Sequence, residues 1–146
     1  MKTILVVESD SDVREQVAGM LKLADYYVLT ANDGKEGIEI IKKEVPDMIV
    51  SAVTMPVIDG YGLLYLLRHD PKTEATPFIF LSSTTDRHEF RIALESGADD
   101  FITKPFNNDE LLKAVENRFA RMAKYISVLI IPIRSAKSNQ FTCNNN

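Results

Sequence analysis

Five short apolar runs, each followed by a stretch of helical period, leave this chain few ways to fold. Ile4-Leu5-Val6-Val7, Tyr27-Val28-Leu29-Thr30, Met48-Ile49-Val50-Ser51-Ala52, Phe78-Ile79-Phe80-Leu81 and Phe101-Ile102 have strand length and β-forming composition. After the first run, Asp10 or Ser11 caps a helix with apolar positions Val13, Val17, Met20, Leu21 and Ala24. Gly34 opens a second helix carrying Ile38, Ile41 and Val45, and Pro46 ends it. Leu63, Leu64, Leu66 and Leu67 mark a third, stopped by His69-Asp70-Pro71. Asp86 caps a fourth with Phe90, Ala93 and Leu94, closed by Gly97. Asn107 and Glu110 resemble a capping box and start a fifth, with Leu111, Val115, Phe119, Met122 and Ile126 in step. Regular alternation of strand and helix predicts an α/β fold: a doubly wound parallel sheet with right-handed crossovers and helices on both faces. In such sheets ligands bind beyond the carboxyl ends of the strands. Glu8, Ala52, Ser82 and Lys104 end or closely follow strands, so they share that edge.

Size and charge narrow the function classes. A chain of 146 residues is one domain by length and can bury a core without staples. Its one cysteine, Cys143, forms no internal disulfide, which suits a reducing compartment. No run has the apolar length to span a membrane, and no secretory leader is evident, so the expected location is cytoplasmic. The net charge is −4, and residues 1–124 hold 15 basic against 21 acidic side chains. Direct nucleic-acid binding needs clustered Lys and Arg, and this balance argues against it. The loops carry no Gly-rich phosphate cradle and no nucleophile–base pair, so the chain does not read as an enzyme.

Four segments together carry a family resemblance: Ile4-Leu5-Val6-Val7-Glu8, Met55-Pro56-Val57-Ile58-Asp59-Gly60, Gly97-Ala98-Asp99-Asp100-Phe101 and Thr103-Lys104-Pro105-Phe106. From Met1 to about Lys124 the chain resembles the receiver domain of two-component response regulators, similar to the chemotaxis regulator. The resemblance implies a flavodoxin-like fold of five parallel strands in the order 2-1-3-4-5. It implies a phosphorelay function, with a sensor histidine kinase or another signalling protein as partner. It also implies a homodimer face made by the fourth helix, fifth strand and fifth helix, where Arg87, Arg91, Lys113 and Arg118 supply charge.

The resemblance assigns roles position by position. An acidic pair follows the first strand and helps bind Mg²⁺; here its positions hold Glu8 and Ser9. The phosphoacceptor aspartate ends the third strand, and that position is Ala52. Thr54 stands where a backbone carbonyl reaches the metal. Ser82, Ser83 and Lys104 fall at the phosphate pocket, and Ser82 and Phe101 at the switch positions. The Lys104–Pro105 bond is expected to be cis.

The chemistry at position 52 then fails on physical grounds. Phosphoryl transfer needs an oxygen nucleophile and a cation to neutralise developing charge. Alanine offers a methyl group, and Mg²⁺ wants hard oxygen ligands, including carboxylates. Of three expected carboxylates only Glu8 remains, so Mg²⁺ binding is expected to be weak or absent and position 52 unphosphorylated. Ser51 should face away from the pocket. Thr54 and Ser9 are alcohols without a nearby base. Lys104 is expected to be solvated or bridged to Glu8, and Ser82 to satisfy a local backbone group. Asp99 and Asp100 read as a solvated turn, and His69 and His88 as surface residues.

Two functional readings follow. The first is a pseudo-receiver that signals by protein–protein interaction. The alternative is an ordinary Mg²⁺-dependent aspartyl-phosphorylated receiver in which alanine has replaced the aspartate at position 52; Ser9 is a second departure that one substitution leaves unexplained. Residues 125–146 are read as a C-terminal extension: helix followed by a frayed end, or an extra strand at Val128–Ile131 before a disordered polar tail.

Overall fold

The computed structural model describes the backbone of residues 1–140 and the side chains of residues 1–124. The elements follow the expected order: β1 (Thr3–Val7), α1 (Ser11–Leu23), β2 (Tyr27–Ala31), α2 (Gly34–Lys43), β3 (Met48–Ala52), α3 (Gly60–Arg68), β4 (Phe78–Ser82), α4 (Arg87–Glu95), β5 (Asp100–Thr103) and α5 (Asn108–Gln140). The five strands form one sheet ordered β2-β1-β3-β4-β5, with every neighbouring pair parallel. The chain steps one way from β1 to β2 and the other way thereafter. Right-handed crossovers therefore put α1 on one face and α2, α3 and α4 on the other.

Side-chain alternation explains why the central strands carry apolar residues on both faces. Leu5, Val7, Ile49, Phe78 and Phe80 join Ile41, Leu63, Leu64, Leu67 and Ala93 in one buried cluster on the α2–α3–α4 face. Their neighbours Ile4, Val6, Met48, Val50, Ile79 and Leu81 point the other way and are equally inaccessible, as are Val17 and Leu21 of α1. Each such side chain contributes roughly 1.5–3 kcal/mol through removal from water.

Local chemistry fixes the helix starts. The Asp10 carboxylate accepts the Asp12 and Val13 N–H groups at the start of α1. Asp33, Asp59 and Asp86 cap α2, α3 and α4 in the same way. Asn107 and Glu110 close the expected reciprocal box: Glu110 N–H donates to Asn107 Oδ1 at 2.9 Å and Asn107 N–H to Glu110 Oε1 at 3.2 Å. Gly97 ends α4 at φ +106°, a conformation glycine reaches without strain.

Three expectations need correction. Helix α2 stops at Lys43, so Val45 lies outside it and is exposed; the chain is already extending ahead of Pro46, which disfavours helix in the residue before it. In α4 only Ala93 is buried, and Phe90 and Leu94 stay 41% and 40% exposed. That helix lies over the edge strand β5, so little sheet remains to cover it. The alternative strand at Val128–Ile131 is not formed, because α5 runs unbroken to Gln140. A strand there would need a partner edge, whereas extending a helix adds one hydrogen bond from within for each residue except Pro132, which has no N–H to donate. Of the polar end expected from Ser138 to Asn146, the first three residues complete α5 and the rest lies outside the described residues.

The chain divides into two compact units, residues 1–112 and 113–146. The boundary between them falls inside α5. The sheet, α1 to α4 and the whole pocket edge belong to the first unit; the described part of the second is the continuing helix. Among the described residues, no helix is long and apolar enough to cross a membrane.

Candidate functional site

The carboxyl ends of β1, β3, β4 and β5 bring Glu8, Ala52, Ser82 and Lys104 to one edge, as the alternation of elements requires. Ala52, Val53, Thr54, Leu81, Ser82, Ser83 and Lys104 line a cavity there of about 60 Å³. Gly60 holds the floor: a Cβ at that position would overlap the Ala52 carbonyl oxygen and come within 2.7 Å of the Phe80 ring. The β3–α3 loop therefore lies tight against the end of β3, with Gly60 N–H donating to Val53 O at 2.8 Å.

Glu8 is 3% exposed, and both carboxylate oxygens are engaged. Lys104 Nζ donates to Oε1 at 2.8 Å, and the Asp10 N–H donates to Oε2 at 3.1 Å. Arg14 Nη1 donates to the Glu8 carbonyl at 2.8 Å. Of the two readings for Lys104, the bridge to Glu8 is the one formed. The Lys104–Pro105 peptide is cis, as expected.

Four alcohols in and around the site, Ser51, Ser82, Thr84 and Thr103, are also hydrogen-bonded. Ser51 is buried and donates to the Ala52 carbonyl at 2.9 Å, on the face away from the cavity. Ser82 Oγ accepts the Thr84 N–H at 3.1 Å, the local backbone role expected of it. Two like turns follow: Thr84 Oγ1 accepts the Asp86 N–H at 3.1 Å, and Asp86 Oδ1 accepts the His88 N–H at 2.9 Å. Thr103 Oγ1 donates to the Thr84 carbonyl at 3.3 Å. Ser82 is thus linked, turn by turn, to the cap of α4. Ser9, Thr54 and Ser83 lie exposed around the rim.

These residues do not fit a magnesium ion. Ala52 supplies no oxygen ligand from its side chain, Glu8 is occupied by an ammonium, and Asp10 is spent on the α1 cap. Among the described residues, no group of three or more His, Cys, Asp or Glu side chains could hold a metal.

Beside the cavity, aromatic rings form a row that the sequence did not reveal. Tyr61 lies 4.9 Å from Phe80, Phe80 6.3 Å from Phe101, and Phe101 5.6 Å from Phe90, between ring centroids. Phe101, the expected switch residue, stands in the middle and lines a 270 Å³ cleft with Thr84, Arg87, Phe90 and Thr103. Burial, then the nearby carboxylates Glu89 and Asp59, pushes the Tyr61 hydroxyl above its ordinary pKa of 10.0.

The Asp99 half of the expected solvated turn is a structural peg instead. Its Oδ2 accepts the Phe78 N–H at 2.8 Å and faces Arg68 Nη2 at 3.4 Å. Arg68 also donates to the carbonyls of Gly97, Thr76 and Glu74, fastening the approach to β4 and the turn before β5. Gly97 and Asp99 lie 29 and 31 residues from Arg68, so no local pattern announced those two contacts. Both histidines are on the surface; His69 stacks on Tyr65 at 4.0 Å.

The family model of the response regulator receiver domain matches residues 4–116. A probable transcriptional regulator ycf27 of Porphyridium aerugineum is 36% identical over 121 residues, covering 83% of this chain and 49% of that protein. The chain spans about half the length of the ycf27 relatives it matches. The crystal structure of a putative response regulator from Chloroflexus aurantiacus superposes with TM-score 0.78 at 35% identity, over 82% of this chain and 98% of that one. The chemotaxis protein CheY4 of Vibrio cholerae gives TM-score 0.76 at 32% identity, over 80% and 98%.

Proposed function

Because the chain belongs to the response regulator receiver family of two-component signalling, we propose that it is a pseudo-receiver: a cytoplasmic module that takes no phosphoryl group at position 52 and acts by binding other proteins. One observation carries this reading. The side chain at the end of β3 is the methyl of Ala52, 2% exposed, and the acid that follows β1, Glu8, is closed by Lys104. The side chain at position 52 offers no oxygen to attack phosphorus, and the cation that would neutralise the transferred charge has no carboxylate set to bind it. Conformational bias must then come from a partner with different affinity for two states of the fold.

A sensor histidine kinase or another signalling protein is the expected partner class. The exposed Phe90 and Leu94 of α4, flanked by Arg87 and Arg91, offer an apolar and basic surface next to β5. That surface also suits a homodimer contact. The pocket residues Ser82, Ser83 and Lys104, with Phe101 as a coupling aromatic, are retained parts of a phosphate-responsive scaffold.

A second reading has its own support: an ordinary receiver in which alanine has replaced the aspartate. Gly60 packs on the Ala52 carbonyl, and the cis Lys104–Pro105 peptide is in place, so the scaffold is otherwise formed. Reading the native gene at codon 52 separates the two. Restoring Ala52→Asp and incubating with acetyl phosphate and Mg²⁺ tests the scaffold. A phosphoryl adduct on that variant alone supports an acceptor lost only at position 52. No adduct on it places a further defect at Ser9 and the Glu8–Lys104 pair.

A further inference from the structure

Two cationic side chains converge on Glu8, one on its carboxylate and one on its carbonyl. Lys104 reaches across from the loop after β5, 96 residues away, and its bond to the buried carboxylate is 2.8 Å long. Counted over the cluster, Glu8 and Asp10 balance Lys104 and Arg14. A divalent ion would add two positive charges with no added carboxylate to meet them. It would also have to displace the ammonium from Oε1, and Mg²⁺ gives up its water reluctantly. We propose that the Lys104 ammonium is the resident cation of this pocket, filling on Glu8 the place of a divalent metal and clasping the β1–α1 turn to the β5–α5 turn without one. The inference deepens the pseudo-receiver reading and rests on its assignment of the pocket.

Its consequence is specific. The pocket is set by a covalently tethered charge, so its resting geometry does not respond to Mg²⁺. Removing the ammonium while keeping the length of the side chain uncovers Glu8 and should raise the affinity of the pocket for a divalent cation. Replacing it with another cation should not.

The test is a Mg²⁺ titration of ¹⁵N-labelled protein, following the amide signals of Glu8, Asp10 and Thr54. The unaltered chain and Lys104→Arg are expected to show no saturable shift at millimolar Mg²⁺. Lys104→Met is expected to gain one, with affinity raised roughly tenfold or more. Saturable binding at Glu8 in the unaltered chain overturns the proposal, and so does a folded Lys104→Met that gains no affinity. Should Lys104→Met fail to fold, the Lys104 ammonium signal of the unaltered chain decides. Glu8→Gln should move it and Mg²⁺ should not; displacement by Mg²⁺ overturns the proposal. A phosphoryl adduct on the unaltered chain would sink the pseudo-receiver reading, whereas Mg²⁺ saturation without an adduct would sink only this inference.

Discussion

Removing the Lys104 ammonium should cost stability out of proportion to a surface ion pair. Glu8 is 3% exposed, while the Lys104 side chain is 26% exposed, so one end of the pair is dry and the other reaches water. Breaking a fully buried pair by deleting one partner costs about 3–5 kcal/mol, because the remaining charge is left uncompensated. An exposed pair is worth about 0–1 kcal/mol. The half-wet geometry places Lys104→Met between these, at about 2 kcal/mol. Glu8→Gln keeps the shape, but its single amide oxygen can take only one of the two donors that Oε1 and Oε2 accept, so about 2 kcal/mol is expected from the lost charge and the unmet donor. The double variant buries no lone charge, and its cost should fall short of the sum by about 1 kcal/mol. Urea unfolding of the four proteins measures this. With a slope of about 2 kcal/mol per molar, Lys104→Met should lower the midpoint by about 1 M. A single-variant cost under about 0.5 kcal/mol, or additivity within about 0.3–0.5 kcal/mol, would refute the reasoning and return the pair to the surface class.

Val57 adopts φ 68° in a three-residue turn closed by Ile58 N–H donating to Pro56 O at 2.8 Å, an unfavourable state for a β-branched side chain that is 83% exposed. Val57→Gly should relieve strain of about 1–3 kcal/mol at an entropic cost of about 0.5–1 kcal/mol, leaving a gain of about 1 kcal/mol by urea unfolding; a loss of stability would contradict the strain. Gly60→Ala should cost at least about 2 kcal/mol by the same measurement, because the clashing atoms are the Ala52 backbone and a packed ring rather than a movable side-chain end. Tyr61 holds its proton more tightly when folded than its unfolded value of 10.0, so its contribution is fully present below that pH and is lost as pH rises through the higher folded value. The chain should therefore lose stability in alkaline solution more steeply than Tyr61→Phe, and the two profiles coinciding would remove that role.

Element order and pocket edge were legible because both follow from short-range chemistry. Apolar runs such as Phe78-Ile79-Phe80-Leu81 have one economical arrangement once helices alternate with them, and Asp or Asn caps announce the helix starts. The Lys104 bridge was legible as one of two options because Glu8 was the evident acid left at that edge. What the sequence hid depends on distance or on edges. Arg68 and Asp99 meet 31 residues apart around the N-terminal end of β4, so Asp99 reads as a turn residue until the sheet is closed. Phe90 and Leu94 follow a buried helical period, yet α4 lies at the sheet edge and leaves them half in water. The β-branched run near residue 128 has strand composition but continues a helix already under way.

The central claim is the absence of an acceptor at the end of β3. The most direct test is the intact mass of the unaltered chain after incubation with acetyl phosphate and Mg²⁺. The pseudo-receiver account predicts a single species at the unmodified mass. A second species heavier by one phosphoryl group would contradict it.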